Sequence, residues 1–162
     1  MIDKVKISFK PTKKQLNEIE EWLIEERDAT GEGFYCNWEA IASSFHKNEL
    51  TTISINQKTI GFATLLYSQL NLVVELELLE IMPIFRGKGY CRLLVSALFQ
   101  RIIEKNAYVV KLQCAPKTSE PVWRHFGFTD FPNHGYKWKN VNKELYKILV
   151  PSLETNEVNS EG

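Results

Sequence analysis

The sequence predicts an α/β fold in which a mixed central sheet is combined with helices in a single domain. Three observations predict it: alternating segments typical of strands, apolar residues at helical spacing, and one strand–helix–strand unit. The 162 residues, 44% of them apolar and 25% charged, suit one globular domain. We expect residues 1–150 to form this domain and the polar, acidic segment 151–162 to be a disordered C-terminal tail.

The N-terminal part predicts one strand and two helices. Residues 4–9 alternate in the manner of a strand. Thr12 is placed to cap a helix that continues to about residue 28, and Asn37 is placed to cap a second helix that ends at His46. The apolar stripe of the first helix consists of Leu16, Ile19, Trp22 and Leu23.

The middle of the chain predicts a hairpin and then a crossover unit. Residues 51–55 and 59–67 alternate on either side of a short turn, and residues 72–82 form a long strand. A helix over residues 90–105 and a strand over 108–114 follow, so the two flanking strands must lie parallel. The helix is predicted to bury Leu94, Ala97, Leu98 and Ile102, with Leu93 beside them.

The C-terminal part predicts a short helix near residues 119–126 and a closing strand pair at 128–131 and 145–150. The complete order is β-α-α-β-β-β-α-β-α-β-β.

Charge and composition exclude several classes of function. Lysine plus arginine equals aspartate plus glutamate at 20 each, so no basic field favours nucleic acid. No apolar run approaches the roughly 20 residues that span a bilayer, and the N-terminus lacks a secretory core. Cys36, Cys91 and Cys114 show neither paired spacing nor a zinc-ligand pattern. We therefore expect a cytoplasmic protein without a metal or a membrane anchor.

The turn between the long strand and its helix carries the clearest chemical signal. Residues 86–91 read R-G-K-G-Y-C. Gly87 and Gly89 allow the backbone to approach a ligand closely, and the first amides of a helix lack intrahelical partners. Arg86 and Lys88 add positive charge to that of the helix dipole. This combination predicts a phosphate or pyrophosphate site, although a tight glycine turn without a ligand is the alternative.

The segment from Ile81 to Cys91 resembles the pyrophosphate turn Gln/Arg-x-x-Gly-x-Gly/Ala of the GNAT superfamily of N-acetyltransferases. Arg86 matches its first position and Gly89 its central glycine, whereas Cys91 departs from the final Gly/Ala. Downstream, residues 123–128 read W-R-H-F-G-F and are similar to the family's Tyr-x-x-x-Gly-Phe. The resemblance covers roughly residues 5–150.

This resemblance implies a coenzyme site between splayed parallel strands. The pantetheine arm of acetyl-CoA would bind backbone groups near Ile81 and Met82, and the pyrophosphate would lie on the amides that follow Arg86. The coenzyme-binding candidates are Ile81, Met82, Arg86, Gly87, Lys88, Gly89, Tyr90, Cys91 and Trp123. Acetyl-CoA is implied as a co-substrate, and no metal is needed.

The implied reaction is direct attack of a primary amine on the thioester, assisted by a general base. Glu75 and Glu80 are the catalytic candidates: Glu75 aligns best with the histone-acetyltransferase branch, and Glu80 lies nearest the expected thioester in sequence. Glu75 and Glu77 share one face of the strand, and Glu80 falls on the other. These glutamates are alternatively a solvated strand face, or together an acidic cleft that attracts a cationic acceptor.

Two further assignments follow from the resemblance. Trp123 takes the place of the tyrosine that often protonates the leaving thiolate, so Tyr90, Tyr136 or water are substitutes. This departure favours the competing hypothesis of an inactive acyl-CoA-binding or protein-interaction module. The substrate-binding candidates, which are alternatively a small core under a loop, are Phe34, Tyr35, Trp38 and Glu77. The resemblance implies a small-molecule or peptide amine as the acceptor, and it is compatible with a homodimer.

Overall fold

The computed structural model describes residues 2–68, 72–132 and 143–149. Its strands and helices follow the predicted order and confirm the α/β class. The strands are β1 (Val5–Ser8), β2 (Leu50–Ile55), β3 (Lys58–Tyr67), β4 (Val73–Ile81), β5 (Val109–Gln113), β6 (Thr129–Asp130) and β7 (Glu144–Ile148). The α-helices are α1 (Lys13–Thr30), α2 (Trp38–His46), α3 (Tyr90–Glu104) and α4 (Glu120–His125). Short 3₁₀ turns occupy Phe34–Asn37, Pro83–Phe85 and Lys117–Ser119.

The seven strands follow the order β1-β2-β3-β4-β5-β7-β6 in one mixed sheet. β4 and β5 pair in parallel from Val73↔Val109 to Glu75↔Lys111, as the strand–helix–strand unit predicts. β7 pairs antiparallel with both β5 and β6, which confirms the predicted closing strands. Across the described ranges, no helix is both long and apolar enough to cross a membrane.

The chain divides into two compact units. The first comprises Met1–Leu66 and Leu76–Leu98, and the second comprises Tyr67–Glu75 and Phe99–Gly162. Both β4 and α3 therefore contribute residues to each unit.

The core of the first unit is formed by α1, α2 and the hairpin strands. All four residues of the predicted stripe of α1 are buried. They form one cluster with residues from α2, β2 and β3, whose members are Leu16, Ile19, Trp22, Leu23, Ile41, Leu50 and Phe62. Burial of such a contiguous apolar set supplies the main force that holds α1 and α2 against these strands.

Local capping fixes where α1 starts and ends. The Gln15 amide donates to Thr12 Oγ1 at 3.2 Å, and the Thr12 amide donates to Gln15 Oε1 at 2.8 Å, which forms a reciprocal capping box. Gly31 ends the helix in a left-handed conformation with a φ of 73°. Asn37 precedes α2 as predicted, but its side chain makes no capping hydrogen bond. Its Oδ1 instead lies 3.3 Å from the thiol of Cys36.

The connection between β2 and β3 is tighter than predicted. β3 begins at Lys58, so the turn consists of Asn56 and Gln57 alone. Both residues have positive φ, 47° and 71°, as the mirror-image turns of two-residue hairpins require. Asn56 is suited to this geometry because its short polar side chain tolerates the left-handed region.

The second unit has its own apolar core. Val110, Leu112, Phe128 and Leu145 are buried. The Phe128 ring lies 6.0 Å from that of Phe99, and 5.6 Å from that of Trp123, measured between ring centroids. These contacts connect the C-terminal end of α3 and helix α4 with the strands that follow them.

Helix α3 departs from the prediction at Leu93 and, less strongly, at Ala97, which is only half-buried. Leu94, Leu98 and Ile102 are buried as predicted, but Leu93 is 46% exposed, whereas Val95 is buried. The buried stripe is therefore displaced by one residue toward Val95, because apolar residues occupy both sides of Leu94 and sequence spacing alone does not choose between them.

We predict that Thr12→Ala lowers the free energy of unfolding by about 1 kcal/mol, because the Gln15 amide loses its side-chain acceptor. Urea unfolding monitored by far-UV circular dichroism measures this change. Thr12→Ser retains the acceptor oxygen and is the matched control. Equal losses in both variants would show that the capping bond is not the cause.

Candidate active site

Strand β4 directs its glutamates to two faces, as the two-residue period predicts. Glu77 is exposed and Glu75 is half-buried, whereas Glu80 is only 6% exposed. On the face of Glu80, Leu78 and Met82 pack against the core cluster that contains Trp22 of α1. Glu80 therefore faces α1, and Glu77 projects to the opposite side of the strand.

The end of β4 is held by two hydrogen bonds within the protein. The Met82 amide donates to the carbonyl of Ile60 at 2.7 Å. The carbonyl of Ile81 accepts from Arg86 Nε at 2.8 Å. The Met82 amide and the Ile81 carbonyl therefore already have partners in the first unit, and the prediction that the pantetheine arm binds backbone groups near these residues concerns the remaining groups.

Beyond the strand, the chain passes through Pro83–Phe85 and enters the glycine turn at residues 86–89. Gly87 and Gly89 have φ values of 77° and 88°, in the left-handed region that favours glycine. Apart from the glycines and their chain neighbours, no heavy atom of the described residues lies within 4 Å of where a Cβ would stand on Gly87 or Gly89. Both glycines are thus required by the backbone conformation, and the space beside them is open.

The turn leaves a row of amide groups available. The first hydrogen bond at this end of α3 runs from the Leu93 amide to the Gly89 carbonyl at 3.3 Å. Within the described part of the chain, the amides of residues 87–91 donate to no protein group. Unpaired amides at the start of a 15-residue helix, next to two open glycines, form a site suited to an anion.

Two lysines lie beside this turn, and the ammonium groups of both contact the ring of Phe85. The Phe85 ring centroid is 5.8 Å from Lys58 Nζ and 5.7 Å from Lys88 Nζ. Tyr90 contacts the same ring edge-on at 6.4 Å. Lys58 comes from the start of β3, and sequence reasoning missed it because no local motif connects that hairpin with the turn. Its charge adds to the anion-attracting character of the site.

Cys91, the departure from the family pattern, fits into the first turn of α3. Its side chain is half-buried, and burial raises the pKa of its thiol above the ordinary value. The thiol therefore remains neutral at physiological pH. A neutral small side chain preserves the electrostatics of the turn, whereas a thiolate would repel an anion.

The structure also brings together two carboxyl groups and the guanidinium of Arg86. Arg86 Nη2 donates to Glu80 Oε1 at 3.0 Å and to Glu26 Oε2 at 3.4 Å. Glu26 belongs to α1, and its side chain is 10% exposed. Sequence reasoning assigned Arg86 to the coenzyme, whereas in the structure its side chain binds these two glutamates and the Ile81 carbonyl.

Glu26 was not predicted, although a signal for it exists in the sequence. The buried stripe of α1 passes through Ile19 and Trp22, and continuing it by four residues reaches Glu26. A charged residue at such a buried helical position requires a partner. Composition and motif searches do not detect this arrangement because the partners lie about 55 to 60 residues away in the sequence.

The surroundings of Glu80 raise its pKa from 4.5 to about 8. Burial is the largest cause, and hydrogen bonding to Glu26 together with repulsion from that carboxylate raises it further. The charge of Arg86 and the indole of Trp22 act in the opposite direction. Glu80 is thus mostly protonated at neutral pH, with its pKa close to physiological pH.

The segment before α2 lies beside this carboxyl cluster. A Cβ on Gly33 would collide with the carboxyl group of Glu26, so only glycine allows this approach. Further along, Tyr35 stacks on Trp38 at 6.4 Å, and the Arg27 guanidinium lies 4.5 Å from the Tyr35 ring. Phe34, Tyr35 and Trp38 all pack against the core cluster of the first unit.

Trp123 belongs to the second unit. Its ring packs against Phe126 at 6.0 Å and against Phe128. Tyr136, a candidate acid for the leaving thiolate, and the predicted tail 151–162 lie outside the described residues. In the described ranges, no group of three or more His, Cys, Asp or Glu side chains is placed to hold a metal ion.

The fold and the turn together define an α/β protein with a strand–turn–helix at the end of β4 whose open glycines and helix start are suited to an anion. The sequence model of the acetyltransferase (GNAT) family matches residues 12–128. The chain therefore belongs to the GNAT acetyltransferase family, which confirms the resemblance found in the sequence. No curated protein matches the sequence.

Solved structures of the same fold are similar at low sequence identity. The N-acetylglutamate synthase of Neisseria gonorrhoeae, complexed with coenzyme A and N-acetyl-glutamate, has a TM-score of 0.72 at 13% identity, covering 91% of this chain and 35% of that chain. Ard1 from Thermoplasma volcanium has a TM-score of 0.68 at 13% identity, and the match covers 91% of this chain and 99% of that chain. The ribosomal-protein-S18-alanine N-acetyltransferase of Escherichia coli has a TM-score of 0.61 at 12% identity, and the match covers 93% of this chain and 97% of that chain.

We predict that Glu80 makes the folded protein less stable as pH rises. Its folded pKa of about 8 exceeds the ordinary 4.5, so between these values the folded state binds more protons than the unfolded state. Stability due to Glu80 is thus complete below the lower value and is lost as pH rises, by at most about 1.4 kcal/mol per pH unit.

Urea unfolding at several pH values between about 5 and 8, compared between the parent and Glu80→Gln, isolates this contribution. The parent is expected to lose stability over this range relative to the variant. Parallel pH profiles would contradict the raised pKa.

Proposed function

We propose that the protein is an N-acetyltransferase that transfers an acetyl group from acetyl-CoA to a primary amine by direct attack. The observation that carries this proposal is the row of unpaired amides at residues 87–91, next to two open glycines at the start of α3. A diphosphate fits this arrangement because its oxygens accept several amide hydrogen bonds while the helix dipole favours its charge.

The amides of residues 87–91 would hold the diphosphate of the coenzyme, and Lys58 and Lys88 would add positive charge beside it. Bound acetyl-CoA supplies the acetyl thioester. Arg86 contributes its backbone to the turn, whereas its side chain supports the turn from beneath by binding the Ile81 carbonyl and the two glutamates. The coenzyme A in the synthase of similar fold supports the choice of ligand.

Glu80 is the candidate base that the geometry favours over Glu75. It precedes the turn by six residues, it faces α1 and its pKa lies close to physiological pH, where a general base works best. Glu80 also lies on the face of β4 that is turned toward the Gly33–Trp38 segment. The aromatic residues of this segment are the candidate acceptor contacts. Glu75 stands at a strand position of the opposite face, in register with Lys111 of β5.

The proposed step balances as follows. The ionised base takes one proton from the acceptor ammonium, the neutral amine nitrogen forms a bond to the acetyl carbon, and the C–S bond breaks to release a thiolate. The nitrogen loses its second proton to water as it becomes the amide nitrogen. Because an ordinary thiol has a pKa near 8.5, the thiolate can leave with a proton from water or from Tyr90 at the start of α3. Trp123 has an indole N–H that does not act as this acid, and we assign it to packing.

The acceptor that we propose is a small-molecule or peptide primary amine. The acidic side chains of Glu75 and Glu77 on β4 would favour a cationic acceptor. Equal numbers of acidic and basic residues support a protein that does not act on nucleic acid.

We predict that Gly89→Glu abolishes the thermal stabilisation of the protein by acetyl-CoA. The glutamate would occupy the open space beside the amides, repel a diphosphate and strain the left-handed backbone. A thermal shift assay with and without acetyl-CoA measures the effect, since a ligand that binds only the folded state raises Tm.

Gly31→Glu is the matched control, because Gly31 also has a positive φ and open space but caps α1. It is expected to lower the basal Tm and to retain the coenzyme-dependent shift. A full shift in Gly89→Glu would refute the assigned turn.

We predict that Glu80→Gln lowers kcat by about 10²-fold or more, because the amide cannot accept the proton, and leaves the acetyl-CoA shift unchanged. Free-thiol release over a set of primary amines measures turnover. Glu75→Gln is the companion variant with the same change of charge. A large loss in Glu75→Gln with parental activity in Glu80→Gln would transfer the base assignment to Glu75. Coenzyme binding without thiol release for any amine would favour an inactive acyl-CoA-binding module.

A further inference from the structure

We infer that Glu26, on α1, is a positioning residue for Glu80: the two carboxyl groups form a buried pair that holds one proton between them. This inference deepens the proposed function, on which its catalytic part rests. In this pair, Glu26 helps to set the protonation state of the base Glu80, although it lies far from the glycine turn in the sequence.

The Arg86 guanidinium holds the two carboxyl groups close together. One nitrogen of Arg86 binds one oxygen of each glutamate, Glu80 Oε1 at 3.0 Å and Glu26 Oε2 at 3.4 Å. Two carboxyl groups that share one donor nitrogen must lie close together. One positive charge balances only one of them if both are ionised.

The remaining oxygen of each carboxyl group is buried. Glu80 Oε2 and Glu26 Oε1 are both buried, and neither accepts from an N–H or O–H donor in the described parts of the chain. Two buried carboxylate oxygens without donors would be strongly destabilising. A single proton shared by the two carboxyl groups provides the missing donor and removes the excess negative charge.

The groups that face Glu80 come from two elements, α1 and the glycine turn. α1 contributes Glu26, which raises the pKa of Glu80, and the Trp22 indole, whose N–H points to Glu80 closely enough to lower that pKa although it meets no full hydrogen-bond geometry among the described residues; the glycine turn contributes Arg86. Beyond Glu26, the backbone at Gly33 approaches its carboxyl group so closely that no side chain fits between them. Among the described residues, the carboxyl group that acts on Glu80 is that of Glu26, and it favours the protonated form of Glu80.

This arrangement has a functional consequence. Loss of the shared proton leaves two carboxylates beside one guanidinium, and this ionised pair is a stronger base than an isolated glutamate. It accepts the proton of the acceptor ammonium, which restores the singly protonated pair, and then passes that proton to the thiolate or to solvent. Glu26 acts through Glu80 and contacts no reacting atom.

The decisive variant is Glu26→Gln, which keeps the shape of the side chain and removes its charge. Its amide can donate to Glu80, so the ionised form of Glu80 becomes favoured. We expect the carboxyl carbon of Glu80, followed by ¹³C NMR in glutamate-labelled protein and assigned with Glu80→Gln, to titrate at a pH lower by about one unit or more than in the parent. The pH at which kcat/KM reaches half its maximum is expected to fall by the same amount.

Glu25→Gln is the matched control, because Glu25 is the exposed neighbour of Glu26 on the same helix and carries the same charge. Both midpoints should remain at the parental values. Glu26→Asp retains the charge and should restore most of the parental midpoint, and this variant also serves if Glu26→Gln does not fold.

Two results would overturn the inference: a Glu80 titration that is the same in the parent and Glu26→Gln, or a shifted titration with an unmoved pH profile of kcat/KM. Failure of the proposed function has a different signature, since the parent would then show neither stabilisation by acetyl-CoA nor thiol release. The NMR titration can be read in either case.

Discussion

The attachment of the glycine turn to the end of β4 is the constraint on which the rest of the site depends. The turn must reverse the chain from a strand into α3 while leaving its own amides unpaired. Two glycines supply the backbone conformation, and the Arg86 side chain binds the Ile81 carbonyl, which fixes the start of the turn to the end of the strand. Without this bond, a segment with so few internal hydrogen bonds would have little to order it.

Arg86 serves this purpose because a guanidinium presents several donors in one plane. Its Nε binds the backbone, and its Nη2 binds the two glutamates. The same residue thus connects α1, β4 and the turn. A lysine at this position would supply a point charge but could not satisfy a carbonyl and two carboxyl groups in the same fixed directions.

The sequence predicted most of the fold because the signals for these elements are local. The stripe of α1, the Thr12 cap, the hairpin and the crossover helix each follow from spacing within about 15 residues. The shift of the buried face of α3 from Leu93 to Val95 was not predictable, since both residues are apolar and only packing distinguishes them. Capping by Asn37 failed for a related reason, because its side chain contacts Cys36 rather than the helix.

The part of the site that was predictable from the sequence is the glycine turn, because its residues are contiguous. The positive-φ glycines and the helix start at Tyr90 agree with the expectation from residues 86–91. The direction of the Arg86 side chain was not predictable, because it depends on Glu26, about 60 positions away, and on the approach of Gly33. Long-range electrostatic contacts of this kind have no signature in local spacing, and only the unusual charge on the stripe of α1 indicates them.

The buried carboxyl pair is difficult to explain by stability alone. A guanidinium could fix the turn to one glutamate, and an apolar residue at position 26 would continue the stripe of α1 without desolvating a second charge. Buried ionisable groups with strongly shifted pKa values occur where chemistry requires them, and local rules of burial are broken most often at such sites. The pair lies between the turn suited to a diphosphate and the aromatic segment before α2. This position is the reason to assign Glu80 to proton transfer, and Glu26 to positioning Glu80, rather than to the packing of α1.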